Sequence, residues 1–104
     1  MIVRTWHGCV PVKYAGTFSK HLQQTGVDHS LNVKGNLGAF VKQVTQDEWE
    51  HFFLATYWSD LDAIKRFAGE DYLVAVKYAE DDKFELISDP YVFQHEVDNI
   101  EVLN

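Results

Sequence analysis

The alternation of apolar and polar residues predicts six elements in the order β-α-β-β-α-β. Four segments rich in β-branched and aromatic residues have the composition of strands. Two other segments repeat apolar residues every three or four positions, which is typical of helices. In chain order the predicted elements are a strand over 2–10, a helix over 11–26, strands over 38–45 and 49–57, a helical segment over 59–80 and a last strand over 91–97.

The segment that follows the third strand carries the strongest helix signals. Ser59 with Asp62 three residues later forms the capping-box pattern of a helix start. Gly69 predicts the end of this helix, because glycine takes the left-handed conformation at little cost. Apolar spacing from Tyr72 to Ala79 then predicts a second helix beyond the break.

This order of elements is that of the ferredoxin-like fold. We therefore expect an α+β protein whose antiparallel sheet carries both helices on one face. A chain of 104 residues fits a single domain over 1–104. The third strand is apolar on both sides, since Phe52 and Leu54 alternate with Phe53 and Ala55. A second copy of the sheet is the simplest cover for the free face, so we expect a homodimer.

Charge and composition narrow the range of partners. The net charge of −7 argues against nucleic acid and against an anionic membrane surface, because both need clustered cations. No apolar run is long enough to span a bilayer, and the N-terminus lacks the layout of a signal peptide. The single cysteine, Cys9, cannot form an internal disulfide, which favours a reducing cytoplasm and a packing role for this thiol.

Several segments together resemble the antibiotic biosynthesis monooxygenase (ABM) family, within the dimeric α+β barrel superfamily. The resemblance extends over essentially the whole chain. The segments that carry it are 4–8 in the first strand, 35–38 before the second, 53–59 and 61–64 across the third strand and the helix start, 67–72 around the helix end, and 91–97 in the last strand.

The resemblance implies an activity as well as a fold. Members of the family resemble one another in oxidising an aromatic or phenolic substrate with molecular oxygen, without a metal or organic cofactor, in a pocket between helices and sheet. We expect such a cofactor-free monooxygenase acting on a small aromatic molecule. The alternative is a non-catalytic dimeric module of the same fold that binds a small molecule or has a structural role.

A related branch that degrades haem fits the sequence poorly. That branch uses an Asn in the first strand, a Trp after the short helix and an axial His in the following helix. Here Trp6-His7 stand in the first strand, Phe67 takes the place of the Trp, and Lys77 lies near the place of the axial His. We therefore expect no haem.

The expected pocket has an aromatic wall and a titratable group. Trp6, Trp58 and Phe67 are its predicted wall, although all three also suit ordinary core packing. His95 in the aromatic last strand is the candidate general base. Tyr72 is the second catalytic candidate because its hydroxyl can reach a pocket, and its alternative role is to pack a helix on the sheet.

Arg4 is a charged residue within a strand that the fold places centrally. A charge buried there needs a partner or a route to solvent. The sequence offers a carboxylate of Glu50 or Glu96 as a structural partner, and an anionic ligand in the pocket as the alternative.

Three histidines occur on strands that the fold brings side by side. His7, His51 and His95 come from the first, third and last strands. A three-histidine metal site needs all three on one face, and their spacing has no ligand signature. We therefore expect ordinary half-buried histidines and no bound metal.

Overall fold

The structure of the chain is a computed structural model that describes residues 1–97. Its strands form one antiparallel sheet in the order β2-β3-β1, with β4 and β5 both on the far edge of β1. The elements are β1 (Ile2–Pro11), α1 (Ala15–Leu22), α2 (Asp28–Leu31), β2 (Asn36–Gln46), β3 (Trp49–Trp58), α3 (Leu61–Ala68), β4 (Ile87–Ser88) and β5 (Phe93–Glu96). The predicted ferredoxin-like α+β fold is confirmed, with β1 between β3 and the last strands.

The first helical region differs from its prediction at Gly26. The helix does not stop there but continues through a π-helical turn, Gln23–Val27, into α2. A Cβ on Gly26 would lie 3.0 Å from Cδ2 of Leu54 in β3. Gly26 therefore allows a close approach of the helical region to the sheet rather than ending a helix.

The helix predicted from Tyr72 to Ala79 is absent. This segment has turns near its two ends and irregular backbone between them, and Val74 forms an isolated antiparallel bridge with Tyr91. Val92 N–H donates to the Leu73 carbonyl at 2.8 Å, and Ala75 N–H donates to the Pro90 carbonyl at 3.0 Å. The helical spacing therefore gave a wrong prediction. The backbone groups of this segment form hydrogen bonds with residues 90–92 instead of with one another, and such tertiary pairing outweighs local periodicity.

The start of α3 also differs in one residue. Asp60, and not Ser59, is the cap, since its Oδ1 accepts a hydrogen bond from Ala63 N–H at 2.9 Å. The end of α3 is as predicted, because Gly69 follows it with φ of 86°.

The two faces of the sheet have different surroundings. The covered face lies under α1 and α3, and on β3 it carries fully buried Phe52 and Trp58. The open face carries the alternate residues of each strand, including Phe40 and Phe93, which are 60% and 77% exposed. Ligand chemistry that needs shelter from water is therefore expected on the covered face.

Candidate functional site

A cavity lies on the covered face, between the helical region and the sheet. It leaves about 40 Å³ of space for water centres, which is room for roughly three waters at ~10–15 Å³ each. Most of its wall is apolar. The lining residues are Arg4, Trp6, Phe18, Leu22, Thr25, Gly26, Leu54, Thr56, Phe67, Val76, Tyr78, Asp81, Leu86 and Val92.

Asp81 supplies the one carboxylate that the described part of the chain contributes to this lining. Its side chain is only 17% exposed, and its Oδ1 lies 2.7 Å from Nε2 of the buried His21. Its Oδ2 accepts the backbone N–H of Tyr78 at 2.9 Å. The carboxylate is therefore fixed in place while it faces an apolar space, which is the arrangement of a general base.

Tyr78 lies beside this carboxylate in the cavity wall. Burial, and next the charge of Asp81, raise the pKa of Tyr78 to about 12, while Arg4 acts to lower it. Its hydroxyl lies 2.8 Å from Nδ1 of His29. Tyr78 is therefore a neutral hydrogen-bonding group at the edge of the cavity around neutral pH.

Arg4 brings a positive charge into the same cavity. Its side chain donates to the backbone carbonyls of Tyr72 and, at 3.2 Å, Val74. The residue is 3% exposed, and burial lowers the pKa of its guanidinium to about 10. No carboxylate of residues 1–97 lies within ion-pair distance of it.

The carboxylate partner considered for Arg4 at Glu50 is engaged elsewhere. Glu50 accepts a hydrogen bond from Gln43 at 2.6 Å and another from the Thr45 hydroxyl. Arg4 instead lies over the Phe67 ring, with its guanidinium carbon 5.8 Å from the ring centre. The buried cation is thus held by carbonyls and an aromatic face.

The predicted pocket residues divide into two groups. Arg4, Trp6 and Phe67 line the cavity. Trp58 does not, because it is completely buried in the core behind Phe67, with ring centres 5.4 Å apart. The Tyr72 side chain packs on the α3 cluster around Trp58, so Tyr72 reaches the site only through its carbonyl.

His95 was expected in the cavity wall, and this placement is wrong. His95 pairs with Val3 in β5, which puts its side chain on the open face, whereas Arg4 and Trp6 point to the covered face. The reason is parity, because neighbouring residues of a strand point to opposite faces. His95 therefore cannot serve as the base for a ligand in this cavity.

The pair His21–Asp81 was not predicted from the sequence. The acidic run 80–82 suits a solvated turn, and the place of Asp81 in the wall depends on the irregular segment 70–80. One signal did exist. His21 follows Phe18 on the apolar side of α1, and a buried histidine needs a hydrogen-bonding partner from elsewhere in the chain.

On the open face, His7 and His51 meet but His95 does not join them. His7 Nε2 lies 2.8 Å from His51 Nδ1, and His7 Nδ1 lies 3.1 Å from Asp89 Oδ2. His95 pairs with Val3, four positions along β1 from His7. Within residues 1–97 no three histidine, cysteine or carboxylate side chains are arranged so that they could hold a metal ion.

Comparison with solved structures supports the fold. The chain is similar to the crystal structure of "a putative antibiotic biosynthesis monooxygenase" from Deinococcus radiodurans, with a TM-score of 0.67, 14% identity and full coverage of both chains. No family model and no curated protein matches the sequence. Within the described residues, every helix is too short or too polar to cross a membrane. The chain thus has the fold of an ABM-type structure, as its sequence predicted.

Proposed function

We propose that the chain is a cofactor-independent monooxygenase acting on a small aromatic or phenolic molecule in the covered-face cavity. The observation that carries the proposal is the Asp81 carboxylate, held by His21 and Tyr78, in an otherwise apolar wall. The likeness of the fold to a structure titled as an ABM protein supports the reaction class.

The proposed reaction needs only substrate, oxygen and a base. A phenol gives its hydroxyl proton to Asp81 and becomes an electron-rich phenolate. The phenolate reduces molecular oxygen, and one oxygen atom stays on the ring while the other leaves as water. Overall, a phenol and O₂ give a quinone and H₂O, so the substrate itself supplies all of the electrons.

The proposal gives four residues in and around the cavity a role. Asp81 takes the proton, and His21 positions the carboxylate by its bond to Oδ1. Trp6 and Phe67 enclose the ring and exclude water, and the indole N–H of Trp6 is already satisfied by Ser88 Oγ at 2.8 Å. Trp6 therefore contributes an apolar ring surface to the cavity and no free hydrogen-bond donor.

The proposed enzyme is a homodimer that joins two open faces. The exposed aromatic residues Phe40 and Phe93 lie on this face, and burial of such a surface favours association. An obligate interface of this kind buries on the order of 2,000 Å² or more. The free thiol of Cys9 fits a reducing compartment such as the cytoplasm.

Oxygen uptake with a panel of phenols and hydroquinones tests the proposed chemistry. Asp81→Asn keeps the size of the side chain but removes the base, so uptake should fall about 100-fold or more. Asp89→Asn is the matched control, because it makes the same change in the His–Asp pair of the open face. Uptake that survives Asp81→Asn in a folded protein would contradict the assignment.

The second candidate function is a binding module without chemistry. It is favoured by the small size and apolar wall of the cavity, since binding requires only shape and lining. If phenols bind to the wild-type protein but no oxygen is consumed, the binding module is the correct function.

A further inference from the structure

The Arg4 guanidinium is a buried cation whose hydrogen-bonding capacity is only partly used. It contacts two backbone carbonyls, and a guanidinium has more N–H donors than these two acceptors occupy. The described residues place no carboxylate within ion-pair distance, although Arg4 is 3% exposed and lines the cavity. A desolvated cation of this kind is costly unless a charged partner is present for part of the time.

We propose that the cavity selects a small aromatic anion, whose ionised oxygen pairs with Arg4 while its ring lies against Trp6 and Phe67. The inference deepens the proposed function, since it names the ligand class of the same cavity. It does not depend on oxygen chemistry, because binding of the anion precedes any reaction.

The positions of the charges give the ligand an orientation. Among residues 1–97, Asp81 is the only carboxylate in the lining and repels an anion, whereas Arg4 attracts one. Tyr78 senses both charges, since Asp81 raises its pKa and Arg4 lowers it. The anionic oxygen therefore lies toward Arg4, and the part of the ring that carries an exchangeable proton lies toward Asp81.

The size of the cavity and the aromatic wall define the rest of the ligand. About 40 Å³ of space for water centres limits the ligand to a small ring compound, which enters with some movement of the wall. The guanidinium of Arg4 already lies over the Phe67 ring, so a ligand that carries both an anion and an aromatic ring can meet a cation and an aromatic face side by side.

Benzoate and benzamide form the decisive pair of probes. They have nearly the same shape, but only benzoate is an anion. Titration by calorimetry under nitrogen, with oxygen absent, should show benzoate binding at least about tenfold more tightly, because hydrogen bonds between charged groups are the stronger ones. Phenol and a more acidic nitrophenol test whether the site also binds a phenolate. If it does, the nitrophenol should bind more tightly above the pH at which its hydroxyl ionises than below that pH, and phenol should show no change over the same range.

Three variants locate the effect. Arg4→Met removes the charge and should make the affinities for benzoate and benzamide equal, whereas Arg4→Lys should retain part of the preference. Lys42→Met is the control, since Lys42 is a cation in the open-face groove beside His7 and His51 and should not affect binding.

Equal wild-type affinities for the two probes would overturn the inference without any variant, so it remains testable even if Arg4→Met fails to fold. Loss of the preference in Lys42→Met would also overturn it, because the anion would then bind on the open face. A preference for benzoate without oxygen uptake on phenols would support the anion site and contradict only the monooxygenase.

Discussion

Each face of the sheet carries one His–Asp pair, and the two pairs differ in their surroundings. On the covered face His21 and Asp81 lie 2.7 Å apart with exposed fractions of 9% and 17%. On the open face His7 and Asp89 lie 3.1 Å apart with exposed fractions of 27% and 46%. The same two residue types are thus sheltered from water in one place and solvated in the other.

The difference shows that the environment gives these side chains their use. Asp81 and Arg4 both face an apolar cavity. The charge of Asp81 therefore interacts strongly with a ligand in that cavity, because little water is present to weaken it. Asp89 instead contacts His7, which in turn contacts His51. These residues lie on the face that no helix of residues 1–97 covers. This difference is why the proposed function places the base on the covered face and the proposed dimer contact on the open face.

The largest predicted effect contrasts neighbours on β3. Phe52 is fully buried on the covered face, so Phe52→Ala should lower the free energy of unfolding by about 3–5 kcal/mol at any protein concentration. Phe53 points to the open face, so the loss from Phe53→Ala should depend on protein concentration through the dimer. Urea denaturation at two protein concentrations measures both, and concentration-independent losses of equal size would contradict the comparison.

A charge on the open face should disrupt the proposed dimer. Phe40 is 60% exposed there, and Phe40→Glu should weaken association by roughly 2–4 kcal/mol because each subunit would bury an unpaired carboxylate in the interface. Light scattering gives the mass at micromolar concentration. Val12→Glu, at an exposed apolar position outside the strands, is the control. A wild-type protein that is fully folded and monomeric would contradict the dimer.

These two contrasts also show how much of the molecule was predictable. The strands and their order follow from composition and from rules of connection that many sequences share. It was harder to predict which face of the sheet each side chain occupies, because a shift of one residue in register moves every side chain of a strand to the opposite face. His95 was misplaced for this reason, since the register of the short β5 depends on its pairing with β1.

The cavity itself depended on a segment without regular structure. Residues 70–80 have helical spacing, but their backbone pairs with the segment around Tyr91. Tyr78 and Asp81 reach the wall only through that path. Such contacts between distant segments leave no local pattern. Arg4, which is buried, and Trp6, which is half-buried, lie within a regular strand and were identified from the sequence.

Alkaline pH should distinguish the covered site from the open face. The pKa of Tyr78 is raised to about 12 from an ordinary value of 10.0, so the folded state holds this proton more tightly than the unfolded state. The stability that Tyr78 contributes is complete below about pH 10 and is lost as the pH rises toward 12.

Burial lowers the pKa of Arg4 to about 10, so the folded state holds this proton less tightly than the unfolded state. The contribution of Arg4 to the free energy of unfolding therefore rises over the same pH range and partly cancels the loss from Tyr78 in the wild-type protein. Tyr78→Phe removes the Tyr78 contribution and also the charge that raises the pKa of Arg4, so both changes have the same sign. This variant should therefore lose less stability than the wild type between pH 10 and 12. Tyr57→Phe, on the open face, is the matched control. Absorbance of ionised tyrosine should show a group that titrates near pH 12 in the wild type and in Tyr57→Phe and is absent in Tyr78→Phe.

The smallest effect concerns the start of α3, the helix that covers Trp58. Asp60→Ala removes the acceptor of the Ala63 N–H and should cost about 1 kcal/mol in the free energy of unfolding. Ser59→Ala, one residue earlier, should cost only a few tenths, because the Ser59 backbone rather than its hydroxyl makes the bond to the Gly35 carbonyl at 2.9 Å. Urea denaturation of the two variants compares the caps directly. If Ser59→Ala proves the more costly change, the capping box predicted from the sequence is the true start of the helix, and the cover over the buried face begins one residue earlier than the structure has it.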